Sequence, residues 1–219
     1  MFPTNAGEDK IWVKICGITN LADALAAIEA GADALGFVFV ARSRRYLDPR
    51  TAADWILGLP SNVMRVAVMA DPTWDDLITT AAMPFIDVIQ LHGRESPLFC
   101  RRVAERGIAF TKAIPVDVTS DGVESAHDFS TKTILLDSQT ERGFGGTGKT
   151  FNWQAGRKFV EEHPDLHVVV AGGLAPENVE QAIRQMRPYG VDVTTGVEWS
   201  AGRKDPARVR DFIAAARSA

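Results

Sequence analysis

The stretch HVVVAGGLAPENVEQAIRQMRPYGVDVTT (residues 167–195) contains the repeating unit from which the fold can be predicted. It begins with an uninterrupted apolar run, passes through a glycine pair and ends in a second apolar run. Between the runs, apolar side chains recur at the spacing i, i+3, i+4, i+7, at Val179, Ala182, Ile183 and Met186. This spacing predicts a helix with one apolar face, and near-continuous apolar runs are typical of strands buried on both faces of a parallel sheet. The stretch therefore predicts strand, helix and strand in succession.

The same alternation extends over the whole chain. Gly31 and Gly190 lie where helices are expected to end, and Pro72, Pro176 and Pro206 where helices are expected to begin. The segments after the second and fifth runs have the weakest helical spacing. In all, eight apolar runs predict strands, at residues 11–16, 34–40, 63–69, 86–92, 108–114, 133–137, 167–173 and 191–195.

Eight strands that alternate with helices fold either as an open doubly wound sheet or as a closed barrel. The count of eight and the shortness of each unit favour the barrel, at the small end of its size range. We therefore predict an α/β protein with a short, single-domain (β/α)8 TIM barrel over residues 11–219 and a polar N-terminal tail over residues 1–10.

Composition excludes several classes of partner. The chain has 219 residues and a net charge of −4, with no block of basic residues that would indicate nucleic acid or an anionic membrane. No uncharged apolar stretch approaches the roughly 18 residues of a membrane helix, and the polar N-terminus does not have the order of a secretory signal. The two cysteines fit a reducing compartment. We expect a cytoplasmic protein that binds neither nucleic acid nor membrane.

In a barrel of this kind, reactive groups gather at the carboxyl ends of the strands. Cys16 ends the first run, and a helix predicted to begin near Asn20 would favour its thiolate. The alternative for Cys16 is a small buried apolar residue. Cys100 lies within a predicted helix, where a packing role is expected.

Several polar side chains end other strands. Asp137 follows the sixth run, where a carboxylate is either a loop cap or a deliberately placed acid, because burying it without a partner is costly. Gln90 and His92 close the fourth run, and Asp192 lies on the eighth; each either supports the site or fills the barrel rim.

Three glycine-bearing loops follow the last three strands, at residues 143–150, 171–178 and 194–202. Backbone N–H groups at helix N-termini bind phosphate, and barrels commonly bind it after strands seven and eight, so a phosphate site is predicted here. The segment GFGGTGKT (143–150) also matches a nucleotide-binding pattern. Its strand lies too far upstream and helical spacing resumes only near residue 152 or 153, so the match is interpreted as coincidental. The four histidines have no metal-ligand spacing, and no metal is expected.

Taken together, these motifs resemble the phosphoribosylanthranilate isomerase family, over about residues 11–212. The resemblance is carried by VKICGIT (13–19), GADALGFVF (31–39), SRRYL (43–47), QLHG (90–93), LLDS (135–138), GGTGKTFNW (145–153), AGGLAPENV (171–179), VDVTTGVE (191–198) and GRKD (202–205). The family catalyses an Amadori rearrangement in tryptophan biosynthesis without metal or cofactor.

The resemblance implies a role for individual residues. Cys16 matches the family's general base, Asp137 its general acid and Arg45 the arginine that meets the anthranilate carboxylate. The family also implies one phosphorylated small-molecule substrate and a monomer or homodimer. Further substrate-binding residues are expected at His92, Gly145, Gly146, Gly172, Gly173, Asp192, Thr194, Thr195 and Gly196.

Three alternatives stay open at this point. The first is another phosphosugar barrel enzyme, such as a histidine-pathway isomerase or an epimerase, although the former usually carries Asp where this chain has Cys16. The second is a phosphate-ligand binder without catalysis on the same scaffold. The third is a nucleotide-binding protein that uses Lys149.

Overall fold

The computed structural model describes residues 10–115, 126–137 and 153–219. No helix in these three segments is long and apolar enough to cross a membrane. Eight parallel strands pair in chain order and close into a barrel, with the eighth strand hydrogen-bonded to the first. The strands are β1 (Trp12–Cys16), β2 (Ala34–Val38), β3 (Met64–Met69), β4 (Val88–Leu91), β5 (Phe110–Pro115), β6 (Thr133–Asp137), β7 (His167–Val170) and β8 (Gly190–Val193).

The helices pack around this barrel. They are α1 (Leu21–Glu29), α2 (Pro49–Leu57), α3 (Trp74–Ala81), α4 (Pro97–Glu105), α5 (Trp153–Glu162), α6 (Val179–Met186) and α7 (Pro206–Arg217). Short 3-10 helices span Ala126–Phe129 and Thr195–Val197, and β9 (Glu198–Ser200) forms a hairpin with β10 (Arg203–Lys204). The predicted (β/α)8 barrel is confirmed, whereas the division into a tail and a barrel at residue 10 stays a prediction.

Side-chain caps define several helix starts. The side chain of Asn20 accepts a hydrogen bond from the amide of Asp23 at α1, where the sequence predicts a helix start. The weakly predicted α2 is a regular helix because Asp48 caps it and Pro49 occupies its first turn. After β5, the described part of the connection holds only the short 3-10 helix before β6.

Several strand and helix boundaries differ from the sequence expectation, and for two of them the structure shows the cause. Gly190 does not end a helix: α6 ends at Met186, Arg187 takes the left-handed conformation with φ 50°, and Gly190 begins β8. A β-carbon at Gly190 would lie 2.7 Å from the carbonyl oxygen of Trp12, so close pairing with β1 explains the glycine. The apolar run at 167–173 also extends beyond the strand it predicts, because β7 ends at Val170. Gly172 and Gly173 have φ of 87° and 65°, which extended strand backbone does not adopt.

The strands divide the core into two regions. Val13 and Ile15 of β1 pack in the large cluster beneath the helices, whereas Trp12 packs in a cluster with Ala34, Val66, Val88, Ala113, Leu135 and Val169. Because alternate strand residues face opposite sides, Lys14 and Cys16 share the barrel interior with Trp12. The same alternation places Asp137 of β6 and Asp192 of β8 inside the barrel.

Candidate active site

A cavity of about 590 Å³ opens at the carboxyl end of the barrel. It brings together ten of the twelve residues that the sequence predicts for the site: Cys16, Arg45, His92, Asp137, Gly172, Gly173, Asp192, Thr194, Thr195 and Gly196. The other two, Gly145 and Gly146, lie outside the described residues, as does the whole segment 143–150. The strand ends therefore converge on one site, as the barrel topology requires.

Cys16 is the last residue of β1 and is 6% exposed. Burial raises the pKa of its thiol above the ordinary value, and the charge of Lys14 opposes that rise only in part. Removal from water thus outweighs the nearby positive charge in setting the pKa of Cys16, and a thiolate favoured by the N-terminus of α1 stays a prediction.

Lys14 is a charged residue of the site that sequence reasoning missed. Its Nζ donates a 2.8 Å hydrogen bond to Oδ2 of Asp192, and the two side chains are 2% and 5% exposed. Oδ1 of Asp192 is also buried and accepts no hydrogen bond from any described residue. The available signal was a lysine on the inward face of an otherwise apolar strand, two residues before Cys16.

Asp137 is part of a chain of polar side chains across the mouth. Its Oδ2 lies 3.1 Å from Nε2 of His92, and Nδ1 of that ring lies 2.8 Å from the Gln90 side-chain amide. Gln90 is 2% exposed and Asp137 is 6% exposed. Gln90 and His92, for which the sequence allowed either a supporting role or a position on the barrel rim, thus contact each other. His92 also contacts the candidate acid, Asp137.

Arg45 reaches the mouth from the loop between β2 and α2. Its Nε and Nη2 donate to the two carboxylate oxygens of Glu198 at 2.8 and 2.6 Å, and Nη2 also donates to Oγ1 of Thr195 at 3.2 Å. Nζ of Lys204 is 3.1 Å from the same carboxylate. Burial alone would raise the pKa of Glu198, but Arg45 and Lys204 hold it below its ordinary value.

Neither Glu198 nor Lys204 was predicted as a site residue, although both lie in segments that carry the family resemblance. Their side chains are 3% and 1% exposed, so the pair is almost wholly removed from water. A buried ion pair of this kind contributes little net stability, but it fixes geometry. Here it fixes the orientation of the Arg45 guanidinium.

The loops after β7 and β8 contact each other closely. A β-carbon at Gly196 would overlap the carbonyl oxygen of Leu174, so only glycine fits there. Asn178, which precedes α6, holds the first of these loops by accepting from the amide of Ala175 and donating to the carbonyl of Gly173. The result is a rigid pair of backbone segments at one side of the cavity.

The second cysteine is remote from this chemistry. Cys100 lies within α4 and is fully buried, and burial raises its pKa to about 11. The packing role predicted from the sequence is consistent with this position. Among residues 10–115, 126–137 and 153–219, no group of three or more His, Cys, Asp or Glu side chains has the arrangement of a metal site.

A closed eight-stranded barrel with a thiol and a carboxyl at the ends of two strands, beside two close glycine loops, is the arrangement of a (β/α)8-barrel enzyme. Comparison with known proteins identifies the family. The family model described as N-(5'phosphoribosyl)anthranilate (PRA) isomerase matches residues 13–215. The chain belongs to this family.

Individual relatives are similar to this chain over nearly its full length. The N-(5'-phosphoribosyl)anthranilate isomerase of Geotalea uraniireducens is 46% identical over 206 residues, covering 94% of this chain and 98% of that protein. The crystal structure of phosphoribosyl anthranilate isomerase from Thermotoga maritima is 39% identical with a TM-score of 0.81, covering 95% and 100%. A second structure of the enzyme, in complex with reduced 1-(o-carboxyphenylamino)-1-deoxyribulose 5-phosphate, is 36% identical with a TM-score of 0.78 and the same coverage.

Proposed function

We propose that the chain isomerises N-(5'-phosphoribosyl)anthranilate to the aminodeoxyribulose phosphate, a step of tryptophan biosynthesis, with Cys16 as general base and Asp137 as general acid. The observation that carries this proposal is the convergence of these two side chains on one cavity. They come from β1 and β6, and the same cavity is lined by the glycine loops after β7 and β8.

The reaction needs a general acid that donates a proton and a general base that accepts one. Asp137 protonates the ring oxygen of the sugar, which breaks the bond between that oxygen and the first sugar carbon. Cys16 removes the proton from the second sugar carbon of the ring-opened imine, which gives an enolamine. The first carbon then gains a proton and the enol hydroxyl loses one, so the ketone forms and the thiol and the carboxyl return to their starting protonation states. No atom is gained or lost overall, and the second sugar carbon is oxidised as the first is reduced, so the proposed chemistry needs no external oxidant or reductant and no cofactor.

His92 and Gln90 suit an acid that changes its protonation state. When the Asp137 carboxyl carries a proton it donates to Nε2 of His92, and Nδ1 then donates to the Gln90 oxygen. When the carboxyl is ionised, Nε2 donates to it and Nδ1 accepts from the Gln90 amide. The 2.8 and 3.1 Å contacts thus fit both states. Between the two states, the side-chain amide of Gln90 rotates so that its oxygen and nitrogen exchange places.

The substrate's two anionic groups match two parts of the cavity. The phosphate is bound by the backbone of the loops that include Gly172, Gly173, Thr194, Thr195 and Gly196, with α6 behind them. The anthranilate carboxylate meets the Arg45 guanidinium, which Glu198 orients from its other edge. Holding both ends fixes the sugar between acid and base.

Asp192 is assigned to the sugar. Asp192 lines the cavity, and its Oδ1 is buried and has no hydrogen-bond donor among the described residues. A buried acceptor of this kind is costly unless a ligand supplies a donor. A sugar hydroxyl of the substrate would supply one.

We infer further that the protein acts in the cytoplasm as a monomer or homodimer on this one phosphorylated substrate. The two buried free cysteines support a reducing compartment. Sedimentation of the purified chain decides between monomer and dimer.

The purified chain is tested directly with N-(5'-phosphoribosyl)anthranilate, and its gene is tested for complementation of a tryptophan auxotroph that lacks this isomerase. We expect turnover and growth. A soluble, folded product that neither isomerises the substrate nor restores growth would contradict the proposal. A preference for the histidine-pathway aminoaldose would instead assign the other phosphosugar activity.

A further inference from the structure

We propose that Lys14 is a positioning residue that stabilises the deprotonated form of Cys16, with Asp192 holding its ammonium group in place. This inference rests on the proposed function of Cys16 as a base. It assigns a task to the buried ion pair beneath the cavity, which the proposed proton transfers do not themselves use.

Strand geometry brings the three side chains together. Lys14 and Cys16 are alternate residues of β1, so both point into the barrel, with Lys14 one layer below. In the register of the sheet, Lys14 is opposite Asp192 on β8, and Cys16 is opposite Gly36 on β2.

The surroundings of Gly36 show that the lysine and the sulfur lie close together. A β-carbon at this position would lie 2.6 Å from Sγ of Cys16 and 3.1 Å from Cε of Lys14. Both side chains therefore occupy the space above a single bare backbone position. The lysine carbon that carries the ammonium is thus adjacent to the thiol.

Four charged groups act on the sulfur. Lys14 on β1 and Lys204 on β10 lower the pKa of Cys16, Asp192 on β8 raises it, and the Arg45 guanidinium from the β2–α2 loop interacts with it. Lys204 and Arg45 are both bonded to Glu198, which offsets their charge. Lys14 has three N–H donors, of which Asp192 Oδ2 takes one, so N–H groups remain for the sulfur.

The ion pair between Lys14 and Asp192 is hard to explain by a contribution to the stability of the fold. Removing two charges from water is costly, and an apolar pair of the same volume is often as stable or more so. An ammonium beside a base that is negatively charged when deprotonated has a specific use. It favours the charged form of that base, which burial disfavours. Lys14 keeps its proton throughout, and only Cys16 gains one from the substrate carbon.

The test measures the ionisation of Cys16 without turnover. In a Cys100→Ala background, Cys16 is the sole thiol of the chain. The rate of alkylation by iodoacetamide, followed by mass spectrometry from pH 6 to pH 11, gives the midpoint of thiolate formation. We expect Lys14→Met to raise this midpoint by about one pH unit or more, which is a tenfold loss of thiolate below it, and Lys14→Arg to restore most of the loss.

Two further variants separate an electrostatic role from a structural one. Asp192→Asn removes the anion but keeps an oxygen that accepts from Nζ of Lys14, so the ammonium stays in place and we expect the midpoint to fall, opposite to Lys14→Met. Lys112→Met removes another buried lysine, bonded to Glu95 and not to the site, and we expect no change in the midpoint. If Lys14→Met fails to fold, the downward shift in Asp192→Asn and the near wild-type midpoint of Lys14→Arg still test the proposal.

An unchanged midpoint in folded Lys14→Met, or shifts of the same sign in Lys14→Met and Asp192→Asn, would overturn the inference. Failure of the proposed function is seen separately. If the wild type does not isomerise the substrate but the alkylation midpoints move as stated, the pairing of Lys14 with Cys16 stands and the base role of Cys16 does not.

Discussion

At the scale of single residues, the site is organised by charges that lie behind the reacting groups. Lys14 and Asp192 lie beneath Cys16, and Glu198 lies behind Arg45, each almost fully buried. A cation held in a rigid, water-poor setting acts more strongly on its neighbour than the same cation in solvent. The proposed catalytic and binding side chains therefore depend on the buried charged residues packed behind them.

The contact between Glu198 and Arg45 gives a prediction for substrate binding. Glu198→Gln leaves a hydrogen bond but removes the charge that fixes the guanidinium, so we expect KM to rise about tenfold, ~1.4 kcal/mol, with a smaller change in kcat. Steady-state kinetics measure this split. Glu180→Gln, at an exposed i,i+4 pair with Arg184 on α6, is the matched control and is expected to behave as wild type. A fall in kcat at constant KM would contradict the assignment.

The same carboxylate has a defined dependence on pH. Because its folded-state pKa lies below the ordinary glutamate value of 4.5, its contribution to stability is present above that value. The contribution is lost as the pH falls through the lowered pKa. The interaction with Arg45 therefore persists over the neutral range in which the kinetics are measured.

At the scale of elements, the close pairing of β1 and β2 is the feature on which the position of Cys16 depends. Gly36 is opposite Cys16 in this pairing, and its lack of a side chain makes room for the sulfur. Strand register thus sets the geometry of a reactive group, not only the topology of the barrel.

Gly36→Ala tests this dependence. The added carbon would lie 2.6 Å from Sγ of Cys16, so the thiol must move, and we expect a loss of about 1–3 kcal/mol in the free energy of unfolding together with a lower kcat. Denaturant unfolding and steady-state kinetics give both values. At Gly58 the same carbon would meet only ordinary contacts at 3.5 and 3.7 Å, so Gly58→Ala is the control. Unaltered kcat in Gly36→Ala would show that the sulfur need not stay where it is.

The sequence was sufficient for the barrel and for Cys16, Asp137 and the glycine loops at its mouth, because apolar runs, helical spacing and strand-end polar groups are local patterns. Arg45 was expected only from the family resemblance. The sequence was not sufficient for the ion pairs. Lys14 and Asp192 are 178 residues apart, and Arg45 and Glu198 are 153 apart, so their contact appears only when the barrel closes. Gly190 was misread for the same reason, since its need for space comes from Trp12 on another strand.

At the scale of the whole molecule, closure of the barrel places one cysteine in the mouth and the other in the helical layer. Both are buried, and burial raises the pKa of each. A neutral thiol is therefore favoured by folding at both positions, and the charge of a nearby lysine, Lys14 at Cys16 and Lys112 at Cys100, opposes this only in part.

Cys100 gives a prediction for global stability at alkaline pH. Its pKa rises from 9.0 to about 11 on folding, so its contribution is fully present below pH 9 and is lost as the pH rises toward 11. The loss amounts to about 3 kcal/mol at roughly 1.4 per unit. We expect Cys100→Ala to be less stable at pH 7 because of the cavity, but to have a flatter decline of unfolding free energy between pH 9 and 11. Parallel curves for the two proteins would contradict the prediction.

The central claim is that Cys16 and Asp137 carry the two proton transfers of the isomerisation. The most direct measurement is kcat for N-(5'-phosphoribosyl)anthranilate in Cys16→Ala and Asp137→Asn, with Cys100→Ala as the control and circular dichroism to verify folding. We predict that each site variant loses on the order of 10² to 10⁴ in kcat while the control keeps wild-type turnover. Wild-type turnover in a folded Cys16→Ala or Asp137→Asn protein would contradict the account.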